Sequence, residues 1–151
     1  MIPAVGSGSA APTLPIPSSH VDLLNRPIVG VLSTILPDGQ PQSSLTWVDF
    51  DGACAMLNTT LERRKGRNLL ANPRVSLLVV DPDDTSRFIQ IRGDAELRTE
   101  GALEHLDALT RRYTSHPSFY GHVYPEEQAT LETRVICRIH ARRITLDAIH
   151  A

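Results

Sequence analysis

The chain has 151 residues, which favours one domain around one core. Its 15 Lys+Arg against 17 Asp+Glu leave a net charge of −2, the wrong balance for a nucleic-acid binder. No apolar run approaches the roughly 20 residues of a membrane span. The N-terminus lacks the basic-then-apolar pattern of a secretory leader, and Cys54 and Cys137 form no Cys-x-x-Cys pair. A cytoplasmic protein with two buried free thiols is the expectation.

Residues 1–19, rich in Pro, Gly, Ser and Ala, read as a flexible arm ahead of a single domain over 20–151. A short helix is expected from His20 to Asn25, before Pro27. Ile28 to Leu36 is nearly all apolar or β-branched and predicts a buried strand. Pro37-Asp38-Gly39 makes a turn, since Pro presets φ and Gly accepts a positive φ. A second strand covers Gln42 to Phe50, with Ser44 and Thr46 on one face and Leu45 and Trp47 on the other. Both apolar residues are expected in the core, the alternative being that one face of this strand contacts a cofactor and the other the core. Asp51-Gly52 signals a two-residue hairpin loop, and a third strand runs from Ala53 to Thr59.

Thr59 and Glu62 have the spacing of a capping box, which predicts a helix from Thr60 to Ala71, ended by Asn72-Pro73. Val75 to Val80 is a fourth strand. The clearest alternation is Phe88 to Arg98, with Ile89, Ile91, Gly93, Ala95 and Leu97 facing inward and Gln90, Arg92, Asp94, Glu96 and Arg98 outward. A helix from Glu100 to Tyr113 carries the stripe Leu103, Leu106, Leu109 and Tyr113. After a loop over Ser115–Pro125, two strands, Arg134–His140 and Ile144–Ile149, close the chain. Six or seven strands, most in hairpin order, with two or three helices predict a mainly β (α+β) fold, an antiparallel barrel with helices packed outside.

Arg63, Arg64, Lys65 and Arg67 crowd the start of the predicted helix. Cations there oppose the helix dipole unless an anion sits among them. Free backbone N–H groups and the hydroxyls of Thr59 and Thr60 point to the same end. Charge and spacing leave two readings open, a phosphate site and a solvated basic face. Loops for nucleoside triphosphates or dinucleotides are missing from the sequence. His116 and His122 bracket an aromatic loop that either covers a ligand or is anchored by its own rings. His20, His105, His140 and His150 are scattered, so no metal site is expected. Ser43 and Ser44 lack a nucleophile-elbow context.

Val29-Gly-Val-Leu-Ser-Thr-Ile-Leu-Pro-Asp-Gly-Gln-Pro-Gln42 resembles the first hairpin of the pyridoxamine 5′-phosphate oxidase-like flavin-binding split-barrel superfamily. Arg63 to Leu77 looks like its phosphate helix and following strand. Ile91-Arg-Gly-Asp-Ala-Glu-Leu97 and Arg134-Val-Ile-Cys-Arg-Ile139 are similar to two later strands. The likeness covers about residues 21–149, and the branch it most resembles uses the deazaflavin coenzyme F420 in place of FMN.

The resemblance implies a split β-barrel, a homodimer with cofactor sites at the interface, and a small-molecule substrate. It implies that Asn58, Thr59, Arg63, Arg64 and Lys65 surround the cofactor phosphate. Gly30, Val31, Leu32, Ser33, Ser44 and Thr46 would lie along the ring and ribityl chain. Ser86, Arg87, Phe88 and Ile89 would come from a strand meeting the cofactor across the dimer. Ser43 and Val48 stand where the FMN-using oxidase has Arg and Lys, which argues against pyridoxamine-phosphate oxidase activity. The function implied is an F420H2-dependent reductase, with an FMN-dependent enzyme or a non-catalytic flavin carrier as alternatives. No catalytic residue is assigned. Water, His116, His122 or Tyr124 would protonate product.

Overall fold

The computed structural model describes residues 12–147. Residues 1–11 of the expected arm, and Ile149 and His150, lie outside them. The strands are β1 (Gly30–Ile35), β2 (Pro41–Thr46), β3 (Asp49–Phe50), β4 (Ala55–Thr60), β5 (Arg74–Val80), β6 (Phe88–Arg98) and β7 (Arg134–Leu146). They form one antiparallel sheet in the order β2-β1-β5-β6-β7-β4-β3. Three α-helices, α1 (Asp22–Asn25), α2 (Arg64–Ala71) and α3 (Ala102–Tyr113), accompany it.

The topology explains the barrel. β2 and β3 lie at opposite ends of the sheet, yet only Trp47 and Val48 separate them in sequence. Since a residue spans at most about 3.5 Å, the sheet must curl until its two edges nearly meet. They do not pair, so the barrel is split at Trp47-Val48. Val48 is fully buried in the gap. Its N–H donates to Tyr113 Oη at 2.8 Å, and that hydroxyl also faces the Ile28 carbonyl at 2.8 Å. α3 thus stitches the split. The single strand expected over Gln42–Phe50 is therefore two strands with different partners.

The core is the inward face of this sheet, including Leu32, Leu57, Leu77, Ile89, Ile91 and Ile139, closed by Leu23, Leu24 and Leu69 from the helices. Cys54 and Cys137 are buried free thiols, as expected. Leu14 N–H bonds to the Ala141 carbonyl at 2.9 Å, and Ile16 packs on the core.

Several local expectations are corrected. The turn after β3 is Asp51–Cys54, four residues, because the Asp51 carboxylate accepts the Ala53 and Cys54 N–H groups and stabilises a wider loop. The two C-terminal strands are one, β7, bent at Arg142 by a bulge opposite Arg92 and Gly93. Gly93 is required there, since a Cβ would lie 2.0 Å from the His140 carbonyl oxygen. Glu96 is buried at 4% exposure, not solvated, because Arg98, Arg138 and His140 bind its carboxylate. On α3, Leu103 is 47% exposed and Ala102 packs inward with Leu106 and Leu109.

Candidate functional site

The start of α2 differs from the capping-box expectation. β4 continues through Thr60, and the helix opens at Arg64. Thr60 Oγ1 accepts the Arg63 N–H at 3.2 Å, while Glu62 reaches away to the Thr133 N–H at 2.6 Å. Burial alone would raise the Glu62 pKa, but that bond holds it below the usual range. Thr59 is buried. Gly66 lets the helix lie against the end of β4, where a Cβ would meet the Thr60 carbonyl oxygen at 1.8 Å. This contact aims the first turn of α2 across the split.

A cavity of about 310 Å³ opens there, lined by the crossing segment, α2 and α3. Its walls are apolar: Val29, Leu45, Trp47, Leu106, Leu109 and Phe119. The Trp47 ring stacks on Tyr113 with centroids 5.3 Å apart and meets Phe119 edge-on at 6.3 Å. Leu45, expected in the core, is instead 70% exposed on the rim, because β2 ends the sheet and turns its outer face to the cavity mouth.

Arg63, Lys65 and Arg134 reach the same cavity. Glu132 pairs with Arg63 and Arg134, at 3.4 Å each, and is the one carboxylate bonded to any of the three among the described residues. Lys65 Nζ donates to the Leu45 carbonyl at 3.1 Å. Burial, then the charges of Arg63 and Arg134, pushes its ammonium pKa down. Burial pushes Arg134 down too, and its side chain is only 10% exposed. Arg134 Nε donates to Asn58 Oδ1 at 2.9 Å, and its guanidinium lies over the Phe119 ring. Arg63 lies over Tyr124 at 5.3 Å. Excess positive charge in a partly dry, apolar-walled cleft is a receptor for an anion attached to an apolar body.

Of the residues read from sequence, Thr46, Asn58, Arg63 and Lys65 line this cavity. Arg64 turns to a separate recess with Arg67, Asn68 and Asn72. Gly30 and Leu32 face the barrel interior, Val31 the outer face, and Ser44 pairs with Leu32 across the strands. Ser33 Oγ bonds Ser43 Oγ at 3.0 Å beside a second cleft bordered by Arg74, Arg92 and Arg143. Ser86 to Ile89 lie elsewhere: Ser86 bonds Asp84, Arg87 bridges Asp22 and Asp81, Phe88 is half-buried and Ile89 is core. His116 and His122 stand 5.8 Å apart outside the lining, and the aromatic loop contributes Phe119 instead. Sequence reasoning missed Arg134 as a site residue. The signal was a cation opening an apolar strand, on the same face as Arg138 and His140.

The family described as pyridoxamine 5′-phosphate oxidase matches residues 16–146. The chain belongs to that family. A solved F420 reductase is 32% identical, with a TM-score of 0.72 over 86% of this chain and 98% of that one. A conserved hypothetical protein from Mycobacterium tuberculosis is 30% identical, with a TM-score of 0.66 over 93% and 89%. The HupZ protein of Group A Streptococcus, at 19% identity and a TM-score of 0.62 over 87% and 93%, shares the fold. Within this family the chain falls with the F420 reductase branch and has a flavin/F420 oxidoreductase-like fold. Among the described residues no helix is long and apolar enough to cross a membrane.

Proposed function

We propose that the cavity at the barrel split holds a phosphate-bearing deazaflavin, coenzyme F420, and that the protein is an F420H2-dependent reductase of electron-poor, conjugated small molecules. The carrying observation is the convergence of Arg63, Lys65 and Arg134 on an apolar cleft with one carboxylate among them. The likeness to an F420 reductase over 98% of that chain supports this choice of cofactor. When bound, the reduced deazaflavin supplies a hydride.

The chain's own residues bind, orient and dry. Arg63 and Lys65 at the N-terminus of α2, with Arg134 opposite, hold the phosphate by charge-assisted bonds. Trp47, Leu45 and Phe119, which wall the cavity, would hold the ring system and exclude water from it. No carboxylate, His or Tyr lines the cavity among the described residues, and no proton donor is assigned. Leu45 and Val29, exposed at the mouth, are the surface a second copy of the chain would cover. Ser86, Arg87 and Phe88 of that copy are the segment the family resemblance assigns to completing the site.

A second reading, FMN in the same cleft, has support from the match to the pyridoxamine 5′-phosphate oxidase family. Trp47 is the only tryptophan and lines the cavity, so its emission reports occupancy. Titration with F420 and with FMN is expected to quench Trp47 more tightly with F420, followed by oxidation of F420H2 with quinone or enone acceptors. Tight FMN binding without F420 binding refutes the leading reading, and F420 binding without turnover makes the protein a carrier.

A further inference from the structure

We propose that His105, which does not line the cavity, is a positioning residue for it: as a neutral imidazole bonded to Asp49, it anchors the Asn58 amide that aims the Arg134 guanidinium at the bound anion. The inference rests on the reading of the cavity as a phosphate site.

The protonation pattern follows from groups with only one possible role. Arg134 Nε can only donate, so the Asn58 atom 2.9 Å away is its oxygen. The Ala102 carbonyl can only accept, so the Asn58 atom 2.8 Å from it is the NH2 group. That NH2 also lies 3.1 Å from His105 Nδ1, which must therefore carry a lone pair. His105 Nε2, 3.1 Å from Asp49 Oδ2, carries the proton. Asp49 Oδ1 meanwhile accepts from Phe50 N–H at 2.8 Å and pairs with Arg112 at 2.9 Å. Each link of Asp49–His105–Asn58–Arg134 thus pairs one donor with one acceptor, and the His105 side chain is only 9% exposed.

The charged groups around His105 are Asp49 from β3 and Arg112 from its own helix, with Arg134 of β7 beyond the Asn58 amide of β4. A second proton on the ring can only go to Nδ1, which would set it against the Asn58 NH2. The amide cannot turn over to relieve this. Turning would put oxygen against the Ala102 carbonyl and NH2 against Arg134 Nε. Protonation therefore breaks the chain at Asn58, and the Arg134 Nε loses its acceptor, with Glu132 at 3.4 Å and the Phe119 ring still on the guanidinium. Asp49 is shared between the ring and Arg112 and offsets only part of the added charge; the geometric loss decides the sign, and anion affinity falls when the ring gains its second proton.

The test compares the wild type with His105→Gln, whose amide can bond on both sides and gains no proton. Dissociation constants for F420 and for FMN are measured from about pH 8 to about pH 5.5. Ligand titration is common to both proteins and cancels in the comparison. The ratio of the wild-type to the variant dissociation constant is expected to rise by about fivefold from high to low pH, the factor of one net hydrogen bond. Parallel profiles, or wild-type binding that tightens at low pH as simple attraction by an imidazolium would cause, overturn the proposal. Long-range ¹H–¹⁵N spectra of the ligand-free protein at the high-pH end of this range read the His105 tautomer directly. The Nε2–H form is expected, and an Nδ1–H form or an imidazolium overturns it. That readout stands even where neither cofactor binds, an outcome that would refute the phosphate reading instead.

Discussion

Lys65→Met separates a ligand site from a structural one. Burial and the charges of Arg63 and Arg134 depress the Lys65 ammonium pKa, so the free protein carries this charge at a penalty. Its bond to the Leu45 carbonyl, on an exposed rim residue, is one that water can replace. Methionine keeps the apolar stem and removes the charge. The fold is therefore expected to be as stable as before, or slightly more so, as is common when functional groups are deleted. Affinity for the phosphate-bearing ligand should fall by about 1.5–3 kcal/mol, the scale of a charge-assisted hydrogen bond, or roughly 10- to 150-fold. Calorimetric titration measures the loss and a thermal melt the stability. Arg64→Met is the control, because Arg64 is adjacent in sequence but turned to another recess. A lower melting temperature with unchanged affinity would make Lys65 structural. An equal affinity loss in Arg64→Met would make the effect diffuse charge, and either result refutes the reasoning.

Gly66→Ala should destabilise the protein by about 3 kcal/mol in chemical denaturation, because its Cβ meets backbone that cannot move aside; a loss below about 1 kcal/mol would mean that α2 lifts freely off β4. For Asp49, burial raises the pKa, but bonds from His105, Phe50 N–H and Arg112 outweigh it and hold the carboxyl at about 2. A carboxyl depressed in the folded state adds stability above its ordinary pKa that is lost as pH falls towards the folded value, so Asp49→Asn should flatten the acid limb of the stability–pH curve, and an unchanged limb would contradict the bond network. Burial pushes the Cys54 thiol up and the Cys137 thiol up to about 12, so neither should react with iodoacetamide in the native state at mildly alkaline pH and both should after unfolding. Rapid native labelling would show that the barrel opens at the Asp51–Cys54 turn or at β7.

The fold was largely legible because its signals are local. Alternation located β6 at both ends, and Asn72-Pro73 ended α2 where periodicity stopped. The split was not legible. Ser44, Thr46, Val48 and Phe50 alternate without interruption, and nothing in that pattern records that the partner strand changes from β1 to β4 between Thr46 and Asp49. Glu96 was misplaced for a related reason: alternation assigned it to water, while cations from β6 and β7 bury it. Half the site followed from the basic run at α2. Arg134 joins it only because β7 pairs with β4 in a register that sets Arg134 against Thr60, a contact about seventy residues long in sequence. Arg64, by contrast, is a phosphate residue only by the family resemblance, and helical geometry turns it away from Lys65 to another recess.

The most direct measurement is a crystal structure of the protein soaked with F420 and, separately, with FMN. The account predicts the phosphate within hydrogen-bonding distance of Arg63, Lys65 and Arg134, with the ring system against Trp47 and Phe119. Phosphate density instead in the cleft of Arg74, Arg92 and Arg143, with the split left open, would contradict it.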